Sequence, residues 1–252
     1  MKINLKNKNW ELKNIKAVIF DKDGTIINSH FYWGEIIKRR SMALIKKYRL
    51  PKKLYKDICQ TMGYSLKNKK LLPAGPIALI SRAEVINIIK KYLSQKGVKT
   101  TEEEIEKLFK KVHGIFLKEI KKYVKIIPGS RRLIYKLAKK NIPLALITSD
   151  SAINALAINR YLGLDKYFKI TTGLEFVKEP KTSGLIAKKV CRLLKIKTQD
   201  TVCVGDAPMD IIMGEKAKLK ACIAVATGQT PYADLKKHTR YIVKNLSELK
   251  IK

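Results

Sequence analysis

Residues Ala17–Ser29 read AVIFDKDGTIINS. The four apolar residues Ala17–Phe20 have the composition of a buried strand. That strand runs directly into two carboxylates one residue apart, Asp21 and Asp23, followed by Gly24 and Thr25. A buried strand is an unusual place for two turn carboxylates and a good place for chemistry. Gly24 lets the backbone turn sharply, so both acids can face one ligand.

The second half of the chain repeats this arrangement. LALIT, Leu144–Thr148, and TVCVGD, Thr201–Asp206, read as apolar strands ending in Thr148 and Ser149 and in Asp206. Shorter strands are expected near Phe168–Thr172 and Ala221–Ala226. Helices are expected over Ser130–Lys140, after Thr148, near Thr182–Leu194 and near Met209–Ala217. Strands alternating with helices imply an α/β fold, with a Rossmann-like parallel sheet covered on both faces. Such sheets bind ligands outside the carboxyl ends of their strands. Asp21, Asp23, Asp206 and Thr148 therefore converge, although they lie far apart in sequence. Carboxylates packed together without a countercharge are costly, which implies a cation. Oxygen ligands without His or Cys favour Mg2+.

Residues 30–123 lack convincing strands. They carry amphipathic stretches at Tyr32–Tyr48, Pro51–Thr61, Arg82–Ser94 and Glu102–Tyr123, with Thr101 as an N-cap of the last. Pro73, Gly75 and Pro76 punctuate a loop between the second and third stretches. The expected organisation is a core of residues 1–28 and 124–252 with an inserted all-helical cap domain, 29–123.

Composition narrows the class. At 252 residues and 46% hydrophobic, the chain can build a real core and is not disordered. The net charge is +33, from 54 basic and 21 acidic residues. Most of the basic residues are lysines spread from Lys2 to Lys252, without the Arg clusters and aromatic platforms of nucleic-acid readers. A Lys-rich solvated surface accounts for them. Cys59, Cys191, Cys203 and Cys222 are too widely spaced for a zinc site and read as buried thiols of a reducing compartment. The N-terminal MKINLKNKNW has no apolar signal core, and the apolar runs are too short to span a bilayer. A cytoplasmic protein without a membrane partner is the expectation.

Four motifs, in order, resemble the haloacid dehalogenase-like superfamily of phosphohydrolases. DKDGT matches D-x-D-G-[TV], LALIT matches an apolar strand ending in Thr or Ser, Lys181 in EPKTSG matches a Lys before a helix, and GDAPMD matches G-D-x-x-x-D. Spacing to the fourth motif favours Lys181 over Lys178. The resemblance implies Asp21 as nucleophile and Asp23 as general acid and base. It implies Mg2+ held by the side chains of Asp21 and Asp206 and the backbone carbonyl of Asp23, with Asp210 orienting metal-bound water. It also implies phosphate binding by Thr148, Lys181 and, more weakly, Ser149. Thr148, Ser149, Asp150 and Asp210 each have a plainer reading as helix-start residues. Two departures stand out. Asn28 occupies a position where many relatives carry Asp, and E-P-K-T replaces the frequent K-P-x-P.

An acid at Asp23 separates phosphate-ester chemistry from dehalogenation within that superfamily. The helical insertion resembles the small cap of phosphoglycolate phosphatase-like enzymes, which closes over the site and restricts it to small substrates. The expected activity is Mg2+-dependent hydrolysis of a small-molecule phosphate monoester, by a monomer or homodimer. A phosphomutase of the beta-phosphoglucomutase type uses the same motifs and stays open. So does a polyanion-binding protein or nucleic-acid-end phosphatase, supported by the charge and weakened by its dispersion. Substrate specificity falls to the cap, with Arg82 as first candidate and Arg39 and His30 after it. Arg82 equally reads as an exposed arginine at a helix start.

Overall fold

The computed structural model describes residues 2–78 and 80–252. In chain order its elements are β1 Ile3–Lys6, β2 Glu11–Ile15, β3 Ala17–Phe20, α1 Ser29–Tyr48, α2 Tyr55–Thr61, β4 Tyr64–Ser65, β5 Lys70–Leu71, α3 Arg82–Gln95 and α4 Glu102–Lys118. There follow α5 Ser130–Lys139, β6 Leu144–Ile147, α6 Ala152–Leu162, β7 Phe168–Thr172, α7 Leu185–Leu194, β8 Thr201–Gly205, α8 Pro208–Lys216, β9 Ala221–Val225, α9 Tyr232–Leu235, β10 Ile242–Val243 and β11 Lys250–Ile251. The chain divides into two compact units. One runs to Asn28 and resumes over Ile126–Lys252; the other is Ser29–Lys125.

The first unit is built on a six-stranded sheet, ordered β10-β9-β8-β3-β6-β7, with parallel pairing throughout. Every residue of β3, β6, β8 and β9 is buried, which explains why these strands read as unbroken apolar runs rather than alternating ones. Ile186, Val190, Ile211 and Met213, from α7 and α8, pack with Ile19, Ile147 and Cys203 of the sheet. Phe20 lies in register with Leu146 on one side and Val204 on the other. The three strands therefore end nearly level, and the residues after them share one edge.

Five elements of this unit were not expected from the sequence: the strands β1, β2, β10 and β11 and the four-residue helix α9. β1, β2 and β11 form a separate antiparallel sheet, ordered β11-β1-β2. Their segments are short and rich in Lys and Asn, so the alternation of Ile3, Leu5, Leu12 and Ile15 inward is masked by weak strand formers. β10, with two residues, is too short to give a periodic signal.

The second unit is helical around Ile37, Leu44, Ile58, Val85, Ile89 and Phe109. α3 and α4 both begin with reciprocal capping boxes, Ser81 with Glu84 and Thr101 with Glu104. The helix expected over Glu102–Tyr123 is interrupted: α4 stops at Lys118 and a tight turn covers Ile120–Lys122. That turn brings Tyr123 flat against Phe116, ring centres 4.6 Å apart. β4 and β5 pair as a minimal hairpin inside the stretch expected to be loop. Among the described residues, no helix is long and apolar enough to cross a membrane.

Candidate active site

The site grows from the level ends of β3, β6 and β8, all within the first unit. Asp21 follows β3 and extends its ladder by one bond, its N–H donating to the Val204 carbonyl at 2.9 Å. This fixes the backbone that carries the carboxylate. Gly24 then turns the chain with φ +77°, in the left-handed region that side chains disfavour. A Cβ on Gly24 would come 2.3 Å from Asp206 Oδ2, and one on Gly228 would come 1.6 Å from it. Two glycines thus let backbone press against the Asp206 carboxylate.

Lys181 is buried, with 5% of its surface exposed. Its Nζ lies 2.7 Å from Asp21 Oδ1 and 2.6 Å from Asp210 Oδ1, and donates weakly to the Ile147 carbonyl at 3.4 Å. Lys178 is exposed, so the loop leading into α7 presents Lys181 and not Lys178 to the acids. Asp210, in the first turn of α8, also accepts from the Ala207 N–H at 3.0 Å. It is both a helix-start residue and a partner of Lys181.

Thr148 is buried at the end of β6, and its Oγ1 accepts from the Asp150 N–H at 3.1 Å. Ser149 is exposed, with its Oγ 3.5 Å from Met209 Sδ. None of Thr148, Ser149 and Asp150 caps α6. Ser151 does, accepting from the Asn154 N–H at 3.3 Å.

Sequence reasoning passed over Lys22. This lysine is fully buried, 3.1 Å from Asp23 Oδ2 and 2.9 Å from Asp150 Oδ2. Its signal was a charged residue enclosed between a buried strand and an apolar continuation, where a solvated lysine has no place.

Burial and crowding set the electrostatics. Burial, reinforced by Asp210 and Asp23, pushes the Asp21 carboxyl up to about 7 despite the opposing pull of Lys181. Burial and the neighbouring Asp21 and Asp210 push Asp206 well above the usual carboxylate range. Asp23 is raised too, by burial working against Lys22. Burial alone would lower Lys181, but Asp21 and Asp210 outweigh it and hold the ammonium charged.

Asp21, Asp206 and Asp210 bring carboxylate oxygens within 4.8 Å of one another, all buried. Among the described residues, none donates a hydrogen bond to the Asp206 carboxylate. Lys22 and Lys181 face Asp21, Asp23, Asp150, Asp206 and Asp210, leaving an excess of negative charge in a dry place. An all-oxygen donor set with surplus negative charge fits a hard divalent cation such as Mg2+.

The three residues expected to tune specificity lie in the second unit, each with a partner there. His30 Nδ1 accepts from the Leu71 N–H at 3.1 Å. The Arg39 guanidinium pairs with Glu119, hydrogen-bonds the Tyr123 hydroxyl and lies 4.6 Å over the Tyr123 ring. Arg82 is exposed and spends its Nε on Glu106 at 2.9 Å.

The family model described as haloacid dehalogenase-like hydrolase matches residues 15–218. A phosphoglycolate phosphatase of Chromobacterium violaceum is 24% identical over 229 residues, covering 88% of this chain and 89% of its own. The pyrophosphatase PpaX of Halalkalibacterium halodurans is 24% identical over 211 residues, covering 83% of each chain. Among solved structures, a predicted phosphoglycolate phosphatase of Haemophilus somnus superposes with a TM-score of 0.74 at 18% identity, covering 94% of this chain and 97% of its own. That likeness carries the fold alone. With the matched family model spanning the strands that hold Asp21, Thr148 and Asp206, the chain belongs to the haloacid dehalogenase-like hydrolases.

Proposed function

We propose that this hydrolase is a Mg2+-dependent phosphatase of small-molecule phosphate monoesters, working through an aspartyl-phosphate. The observation that carries the reading is the pair Asp21 and Asp23. Asp21 is fixed by its backbone and by Lys181. Asp23 has one oxygen on Lys22, while its Oδ1 is buried with no partner among the described residues. One carboxylate is set as a nucleophile and the other retains an oxygen for proton transfer.

In the proposed reaction an Asp21 oxygen bonds to phosphorus. The bond from phosphorus to the ester oxygen breaks with its electron pair, and that oxygen takes a proton from Asp23. Water then bonds to phosphorus and gives a proton back to Asp23. The Asp21–phosphorus bond breaks, returning the electron pair to the carboxylate and releasing inorganic phosphate. Lys181 neutralises phosphoryl charge as it develops, and Thr148 holds a phosphoryl oxygen. Asp21, Asp206 and the Asp23 carbonyl would hold Mg2+, which when bound supplies further charge neutralisation beside the phosphoryl group. These residues handle the phosphoryl group alone. Discrimination among esters falls to residues 29–125, with Arg82 the first candidate, since only its Nε has a partner among the described residues.

The relatives' names frame the test: phosphoglycolate, pyrophosphate and p-nitrophenyl phosphate, each with Mg2+ and with a chelator. Mg2+-dependent phosphate release from at least one monoester is expected. Release from none of them overturns the reading.

A further inference from the structure

We propose that Lys22 and Asp150 are positioning residues that aim the general acid–base Asp23, an assignment that rests on the phosphatase reading above. Lys22 sits between two carboxylates, its ammonium 3.1 Å from Asp23 Oδ2 and 2.9 Å from Asp150 Oδ2, with none of its surface exposed. Burying a lysine is costly even when it is paired, and an apolar side chain would suit a site that continues a wholly apolar strand. What the lysine adds there is a charge-assisted donor to one particular oxygen.

Asp150 is itself anchored. Its Oδ1 accepts from the Ser151 N–H at 2.8 Å and from Asn154 Nδ2 at 3.1 Å, and its own N–H donates to Thr148 Oγ1 at 3.1 Å. A continuous set of fixed contacts therefore runs from the start of α6 through Asp150 and Lys22 to Asp23. The far end matters most. Lys22 occupies Asp23 Oδ2, while Oδ1 is buried with no partner among the described residues. An oxygen that accepts from an ammonium is a poor place for a proton, so a proton on Asp23 resides on Oδ1, the oxygen free to meet a leaving group. Without the clamp, the carboxyl can rotate and exchange its two oxygens, and the proton is then presented in the wrong direction for part of the time.

The consequence depends on the leaving group. During formation of the aspartyl-phosphate, the ester oxygen departs with the bonding pair and takes the Asp23 Oδ1 proton. An alkoxide needs that proton, whereas p-nitrophenolate departs without it. The kcat/KM value reports steps up to that departure. The kcat value also contains hydrolysis of the aspartyl-phosphate, in which water gives its proton to Asp23 for every ester. Loss of aim therefore lowers kcat for all esters and separates them in kcat/KM.

The test compares glycerol 3-phosphate with p-nitrophenyl phosphate in the full-length wild type, Lys22→Met and Asp150→Asn. The alkyl-to-aryl ratio of kcat/KM is expected to fall at least about tenfold in both variants, part of the roughly 10²–10⁴-fold that a general acid supplies. A purely structural role would lower both esters together. Equal losses, with the ratio held within about threefold, overturn the clamp and leave the phosphatase reading standing. Where phosphoglycolate is the alkyl ester turned over, it takes the place of glycerol 3-phosphate; a wild type that releases phosphate from none of these esters and not from pyrophosphate overturns both. If Lys22→Met fails to fold, Asp150→Asn decides alone, because the buried ammonium keeps the Asp23 carboxylate as its countercharge but loses the anion that holds it in place.

Discussion

Lys181 Nζ lies 2.7 Å from Asp21 Oδ1, and this ion pair joins a loop residue before α7 to the residue that ends the central strand. The same ammonium holds Asp210, so its loss leaves two buried acids facing each other without a countercharge. Lys181→Ala is expected to lower kcat by about 10²–10³-fold, the scale of removing one preorganised charge-stabilising donor. Lys178→Ala, at an exposed site, is expected to stay within about twofold of wild type. Steady-state phosphate release by the two variants checks the order. The reverse order would move the role to Lys178.

Asp21→Asn removes the proposed nucleophile but little volume. Turnover is expected to fall at least about 10³-fold, with circular dichroism and thermal unfolding close to wild type. Activity within tenfold or so of wild type would rule out the covalent route.

Asp206 is cradled by Gly24 and Gly228, and no described residue donates a hydrogen bond to it. Asp206→Ala is expected to weaken Mg2+ binding at least about tenfold, measured by calorimetric titration of the purified protein. Unchanged affinity would remove Asp206 from the cation's shell.

The raised carboxyls fix the sign of a pH effect. Asp21 moves from an ordinary 3.8 up to about 7, and Asp206 moves in the same direction. Between those values the folded chain binds more protons than the unfolded one, so stability falls as pH rises. The contribution is fully present below the unfolded value and lost once pH passes the folded one. A cation at the acids relieves the same repulsion. Mg2+ is therefore expected to raise the unfolding midpoint more at about pH 8 than at about pH 5, relative to chelator. Equal shifts at both would contradict the electrostatic account.

Arg82 tests the second unit. Arg82→Ala is expected to lower kcat/KM about tenfold for esters bearing a carboxylate, the loss of one charge-assisted hydrogen bond, while sparing p-nitrophenyl phosphate. Equal effects would leave the arginine as a surface partner of Glu106.

The parallel sheet and its chemical edge were legible because buried parallel strands write themselves as unbroken apolar runs, and Asp21, Thr148 and Asp206 sit directly after such runs. The β1-β2-β11 sheet was not legible, since it is assembled from short polar strands at opposite ends of the sequence. Lys22 was hidden for another reason. With 54 basic residues in the chain, its one signal, a place between a buried strand and an apolar continuation, was masked by the general abundance of lysine. Asp150 was legible as a polar residue near a helix start and not as Lys22's anchor, because that contact joins positions far apart in sequence. The partners of Arg39, Glu119 and Tyr123, belong to the same class of long-range contact.

Ile27 and Ile126 form a backbone bridge, so the chain leaves the first unit and returns to it at adjacent points. The whole of Ser29–Lys125 is, for the sheet, one long excursion with pinned ends. The entropic cost of such an excursion grows only with the logarithm of its length. Insertions, deletions or wholesale exchange between those two isoleucines need not disturb the register of β3 with β6 and β8. Under the proposed function, exchange of that segment would alter the choice of ester and leave the residues that handle the phosphoryl group where the sheet holds them.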